Sequence, residues 1–345
     1  MNDNNQQNFD DRRRFSIDPL GAKKIESQVR ILISSDDKNE RMAAAWQLGK
    51  IDDPKSTQGL LRALTVEDGN DVREEIISSL GWLGSEAAID ALVRIISTEE
   101  DTKVRKKAAW ALGRVKNKDK VVEQLQITLL SDKSAEVRGE AAWILGKIKN
   151  PRSVYALEQS LFLDASAYVR RITAFSLGQI GGERTTKVLA KALFSELDAQ
   201  VRKDIVWILS RSGNIEAAEG LLSALKLEID SDVQRMIVWA LGKIGNQNTI
   251  TALSNFLEEP SFSDKIKTEI IWALGKIEGA KPVKVLAKCL KSQIKEIRKA
   301  VIWTLVQIKD KSVLKELEKA VAAEDDDDMR EELSWAINEI KEDTD

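Results

Sequence analysis

The sequence predicts an all-α fold: a right-handed α-solenoid (superhelix) of about ten two-helix repeats, each 31–33 residues long. Three observations predict it. A Leu-Gly pair, or its equivalent, returns at a fixed interval along almost the whole chain. Each interval holds two helical hydrophobic patterns divided by turn signals. The composition, 43% hydrophobic and 32% charged, suits a chain rich in exposed helix.

The glycine slot falls at Gly49, Gly81, Gly113, Gly146, Gly178, Ser210, Gly242, Gly275, Val306 and Asn338. A period that holds phase this long means units that bury their apolar faces on one another. Before the array, residues 1–18 read as a flexible polar arm in which Arg12–Arg14 are flanked by Asp10 and Asp11. Residues 19–342 form a single array. Within it, Pro54 and Pro151 each stand five residues after the glycine slot, where proline is tolerated in a helix's first turn. One unit shows the hairpin best: DKVVEQLQITLLSD, Asp119–Asp132, followed by AEVRGEAAWILGKI, Ala135–Ile148. The last unit has Glu324–Asp328 before it and puts Asn338 in the glycine slot, as an acidic cap requires. Residues 343–345 are an acidic tail.

A second ruler runs nine residues before the glycine slot, where Val-Arg or Ile-Arg recurs at Arg73, Arg105, Arg138, Arg170, Arg202 and Arg298. The unit V-R-x-x-A-A-x-x-L-G-x-I, clearest in VRKKAAWALGRV and VRGEAAWILGKI, resembles the short HEAT-like repeat of phycobilisome lyase subunits and many prokaryotic proteins. The resemblance covers about residues 20–342. It implies that the second helix of each hairpin lines a concave side and that these arginines pair between units. It says little of function, because one fold hosts unrelated roles.

On a wheel of VRKKAAWALGRV, Val104, Ala108, Ala111, Leu112 and Val115 cluster as core, and Trp110 points roughly 150° away. The same slot reads Trp46, Ser78, Trp110, Trp143, Phe175, Trp207, Trp239, Trp272, Trp303 and Trp335. Trp82, four residues after Ser78, returns an aromatic to that face in the second repeat. Four residues beyond the Trp stand Lys50, Arg114, Lys147, Arg211, Lys243 and Lys276. In repeats three to nine the inner-face slots carry eleven Lys and Arg against Glu140, Asp204 and Glu269, on a chain of net charge −3. A basic, aromatic concave face is expected.

Inventory closes much chemistry. With no His and one Cys, zinc sites of Cys/His type, Ser-His-Asp triads and Cys-His dyads are excluded. Cys289 lies on an apolar helical face and reads as a small buried hydrophobe. GSEAAID at Gly84–Asp90 and GGERTTK at Gly181–Lys187 read as turns into first helices rather than phosphate loops. No cofactor, metal or membrane is implied, and a cytoplasmic location is expected.

The expected function is a non-enzymatic protein-interaction scaffold that binds an acidic or amphipathic partner segment. Its candidate contacts are Trp110, Arg114, Trp143, Lys147, Trp207, Arg211, Trp239, Lys243, Trp272, Lys276 and Trp303. Trp207, Trp239 and Trp272, with Arg211, Lys243 and Lys276, form the regular centre. Two other classes stand beside it. Family resemblance implies a bilin lyase or an accessory subunit of one. Basic residues interleaved with Trp also suit nucleic acid, whose sign would be steep salt dependence.

Overall fold

A computed structural model describes residues 19–277 and 282–342. The expected arm at 1–18, with its arginine run, and the tail at 343–345 lie outside the described residues. Contacts divide the chain into two compact units, Met1–Ser153 and Val154–Asp345. Among the described residues there are twenty α-helices and no strand.

In the first unit these are α1 (Pro19–Ser34), α2 (Lys38–Gly49), α3 (Pro54–Leu64), α4 (Asn70–Leu83), α5 (Ile89–Thr98), α6 (Thr102–Arg114), α7 (Asp119–Ser131) and α8 (Ala135–Ile148). The second unit holds α9 (Val154–Leu163), α10 (Ala167–Ile180), α11 (Glu183–Ala192), α12 (Ala199–Ser212), α13 (Ile215–Leu227) and α14 (Ser231–Ile244). It continues through α15 (Gln247–Glu258), α16 (Asp264–Gly275), α17 (Val283–Cys289), α18 (Lys295–Ile308), α19 (Leu314–Ala323) and α20 (Asp327–Glu342). Odd and even helices are the first and second arms of successive hairpins. Each unit is an α-solenoid, with the even helices stacked in one layer and the odd helices in the other.

Local chemistry sets the helix starts. Asp37, Asp53, Asp101, Asp198 and Asp230 cap α2, α3, α6, α12 and α14 by accepting first-turn backbone N–H groups. Such a cap contributes about 1 kcal/mol. Pro54 occupies the first position of α3, as expected. Gly84, Gly213 and Gly245 end α4, α12 and α14 in the left-handed region, and Lys149 does so for α8 without glycine's freedom (φ 57°).

The core forms where the wheel placed it: Val104, Ala108, Ala111 and Leu112 are fully buried and Val115 nearly so. The glycine slot explains the tightness of the even-helix layer. A Cβ on Gly81 would lie 2.6 Å from the Trp110 ring and 3.1 Å from the Ala111 Cα; one on Gly242 would lie 2.9 Å from Ala273 Cβ and 3.2 Å from its Cα. Ala111, Ile144, Ile208, Ala273 and Thr304, each directly after a Trp, pack against Gly81, Gly113, Gly178, Gly242 and Gly275 of the preceding hairpin. Trp and glycine periods are thus two sides of one contact. Cys289 is half-buried rather than buried, because α17 is a short helix of seven residues; burial still pushes its thiol pKa up.

Candidate functional site

The even helices carry their indoles away from the core. In the first unit Trp46, Trp82 and Trp143 are 47%, 61% and 40% exposed, and Trp110 is half-buried over Gly81. Trp82 meets Trp110 edge-on, with centroids 5.5 Å apart at 72°. Arg114 lies 4.8 Å from the Trp82 ring centroid and 5.8 Å from that of Trp110, so one guanidinium serves both rings. Lys50 stands 3.2 Å over Trp46 and Lys147 4.7 Å over Trp143.

The second unit repeats the arrangement on α12 and α14. Arg211 lies 4.8 Å over Trp207 and Lys243 5.4 Å over Trp239. Phe175 supports Trp207 edge-on at 5.9 Å, and Trp303 tilts against Trp335 at 5.1 Å. Lys276 caps the end of α16 and, with Trp239, Lys243, Glu269 and Trp272, lines a cleft of about 570 Å³. Exposed cation–π pairs of this kind contribute about 0.5–1 kcal/mol each. Trp207, Trp239, Trp272, Trp303 and Trp335 all remain exposed.

The charge of the expected basic face is not evenly distributed. Towards the N-terminal ends of the even helices six cations are neutralised by carboxylates of neighbouring helices or of their own first turn, while Lys107 stands 5.8 Å from the Trp110 ring centroid. Lys38 pairs with Asp71, Lys106 with Glu136 at 3.7 Å, and Arg171 with Asp204. Asp232 takes both Lys203 at 3.6 Å and Arg235 at 2.5 Å, and Lys299 meets Glu332 at 2.6 Å. Acidic residues belong in first turns, where the helix dipole favours them, and this brings Glu136 and Asp232 beside those cations. Slot counting overlooked them. At the other end of the helices, Lys50, Arg114, Lys147, Arg211 and Lys243 stand over indoles with no carboxylate in ion-pair reach among the described residues. The face therefore has an ion-paired strip and an aromatic, cationic strip.

The arginines of the Val-Arg ruler stitch successive hairpins. Arg73 pairs with Glu99 at 2.6 Å, Arg105 with Asp132 at 2.9 Å, Arg170 with Glu196 at 2.8 Å, Arg202 with Glu228 at 2.7 Å and Arg298 with Glu324 at 3.0 Å. Arg138 donates to the carbonyls of Asp132 and Lys133. Arg41, which follows Glu40 rather than Val, forms a further rung with Glu67. Its departure from Val-Arg hid it in the sequence.

Carboxylates on the indole side are perturbed. Burial pushes Glu75 and Glu140 above the usual range, partly opposed by Lys107 at Glu75 and by Lys106 and Lys107 at Glu140. Among the described residues no cluster of metal-ligating side chains occurs, and no helix is long and apolar enough to cross a membrane.

With this geometry in hand, the relatives can be placed. A family model described as HEAT repeats matches in six overlapping segments, residues 25–112, 92–178, 159–233, 186–264, 219–294 and 250–338. The chain belongs to the HEAT-repeat family. Among curated proteins none matches. Of solved structures, Kap121p bound to Nup53p is similar at 12% identity over 93% of this chain and 41% of that one, with a TM-score of 0.65. The likeness is one of fold, and the chain spans less than half of Kap121p. An engineered protein is 22% identical over 92% of this chain and 99% of its own, at a TM-score of 0.44. Human deoxyhypusine hydroxylase in complex with glycerol is 22% identical over 76% of this chain and 100% of its own, at 0.36.

Proposed function

We propose that the chain is a non-enzymatic interaction scaffold that grips an acidic segment of a partner protein with its even-helix face. One observation carries the reading. Lys106, Arg171 and Lys203, before the Trp slot, are spent on carboxylates of the protein itself, whereas Lys147, Arg211 and Lys243, one turn after the Trp, are left over indoles and available. Exposed Trp beside Arg is the pairing enriched at binding hot spots. Kap121p, of the same fold, is a protein bound to a protein, Nup53p. The Val-Arg motif also supports a finer kinship with the short repeats of phycobilisome lyase subunits, and with it a lyase-accessory role as the runner-up.

Affinity capture from native lysate, with and without nuclease, tests the reading against a variant carrying Trp207→Ala, Trp239→Ala and Trp272→Ala whose helicity is unchanged. A protein retained by the wild type, insensitive to nuclease and lost from the variant supports it. Capture that nuclease abolishes favours nucleic acid, for which interleaved Trp and Lys also suit stacking and phosphate contact. Equal capture by both proteins overturns the assignment of this face.

A further inference from the structure

Three successive even helices of the second unit present an aromatic and a cationic side chain: Trp207 and Arg211 on α12, Trp239 and Lys243 on α14, and Trp272 on α16 with Lys276 at its C-cap. Two rows therefore cross the helices, one aromatic and one cationic. Packed helices stand about 8–10 Å apart. Gly242 holds α14 and α16 in such close packing, since a Cβ there would meet Ala273 at 2.9 Å. A segment that crosses all three helices must repeat itself about every 8–10 Å.

Only one common backbone does so. Polyproline II returns the same edge every three residues, about 9.3 Å at its rise of about 3.1 Å. An α-helix returns a face every seven residues, about 10.5 Å, beyond that range. In a β-strand every third side chain points to the opposite face.

We propose that the α12–α14–α16 face recognises an acidic segment in polyproline II conformation with a carboxylate at every third residue. The inference rests on the reading of this face as an acid-binding one and adds the spacing and conformation of the ligand. One edge of the segment sets its carboxylates over Arg211, Lys243 and Lys276. The adjacent edge lays proline, or another apolar residue, on Trp207, Trp239 and Trp272, and the third faces water. Aromatic-lined grooves favour such pre-ordered segments because little chain entropy is lost. Glu269, which shares the cleft with Trp239, Trp272, Lys243 and Lys276, repels a carboxylate placed out of register.

Intrinsic Trp fluorescence of the full chain, titrated with Trp-free peptides, tests this. One peptide repeats Glu-Pro-Gln over about twelve residues; a second shuffles the same composition; a third is helical with Glu at every seventh residue; oligothymidylate is the fourth ligand. The expected result is binding of the first about tenfold tighter than the second or third, lost on combining Arg211→Gln, Lys243→Gln and Lys276→Gln, and kept by Lys243→Arg. Equal binding of repeated and shuffled peptides overturns the period while leaving the acid-binding reading intact. Tighter binding of the helical peptide overturns the conformation. Failure of every acidic peptide overturns both, and binding of oligothymidylate alone would move the face to nucleic acid.

Discussion

Arg105 closes a bidentate pair on Asp132, Nε to Oδ2 at 2.9 Å and Nη2 to Oδ1 at 3.0 Å, while its Nη1 donates to the carbonyls of Glu99 and Glu100. Both side chains are nearly buried, and the bond to Asp132 raises the Arg105 pKa further. One guanidinium thus ties the turn of its own hairpin to the turn of the next. Arg105→Met leaves Asp132 buried without its partner and is expected to cost about 3–5 kcal/mol in urea unfolding. Arg105→Lys restores charge but not the fork, and should recover little of it.

The same rung is missing twice in the second unit. Gln234 stands in the arginine slot and reaches only the Glu228 carbonyl, and Pro260 and Gln293 stand where the pattern would place carboxylates for Gln234 and Lys267. Hydrogen exchange is expected to be faster in α15–α17 than in α10–α13, because local opening follows the weakest interface of a stacked array. Uniform protection along the second unit would remove the rungs as a source of local stability.

Gly242→Ala forces a methyl against Ala273, whose Cα and carbonyl oxygen would lie 3.2 and 3.3 Å away and whose backbone has no rotamer to give. A loss of about 1–3 kcal/mol is expected by denaturant titration. Lys149→Gly works in the other direction: it removes a left-handed lysine at the end of α8 and should stabilise by about 0.5–1 kcal/mol.

Glu140 gives a pH signature. Its folded-state pKa is raised, first by burial, so the folded protein binds its proton more tightly than the unfolded chain does. Stability is full below the ordinary glutamate range and falls as pH rises through that range to the folded pKa. Glu140→Gln should match the wild type in acid and exceed it at neutral pH, as read by unfolding midpoints at the two pH values.

Charge removal on the indole strip should separate binding from folding. Arg211→Gln and Lys243→Gln break no ion pair within the described residues, so the melting temperature should hold to within a few degrees. Association with an acidic peptide should slow and lose most of its salt dependence, as stopped-flow fluorescence would report.

Much of this was legible in the chain. Trp110 and Arg114 were placed on one surface by the helical period, and Val104, Ala108 and Leu112 in the core, since position on a helix follows from residue number alone. Arg73, Arg105, Arg170, Arg202 and Arg298 were legible as inter-repeat arginines through the family's motif. A charge count over the inner-face slots includes Lys106 and Lys203 but not Glu136 and Asp232, which neutralise them from other helices.

The sequence by itself determined the all-α repeat fold, the phase of its hairpins and the helical face that carries the Trp. Those features repeat locally, and local periodicity is what a sequence records. Tertiary structure decided which cations are neutralised, that Arg114 serves Trp82 and Trp110 together, and that Lys276 lines a cleft with Trp239. These depend on how closely one helix approaches the next. Arg171 and Asp204, 33 residues apart in the chain, meet only when their helices stack.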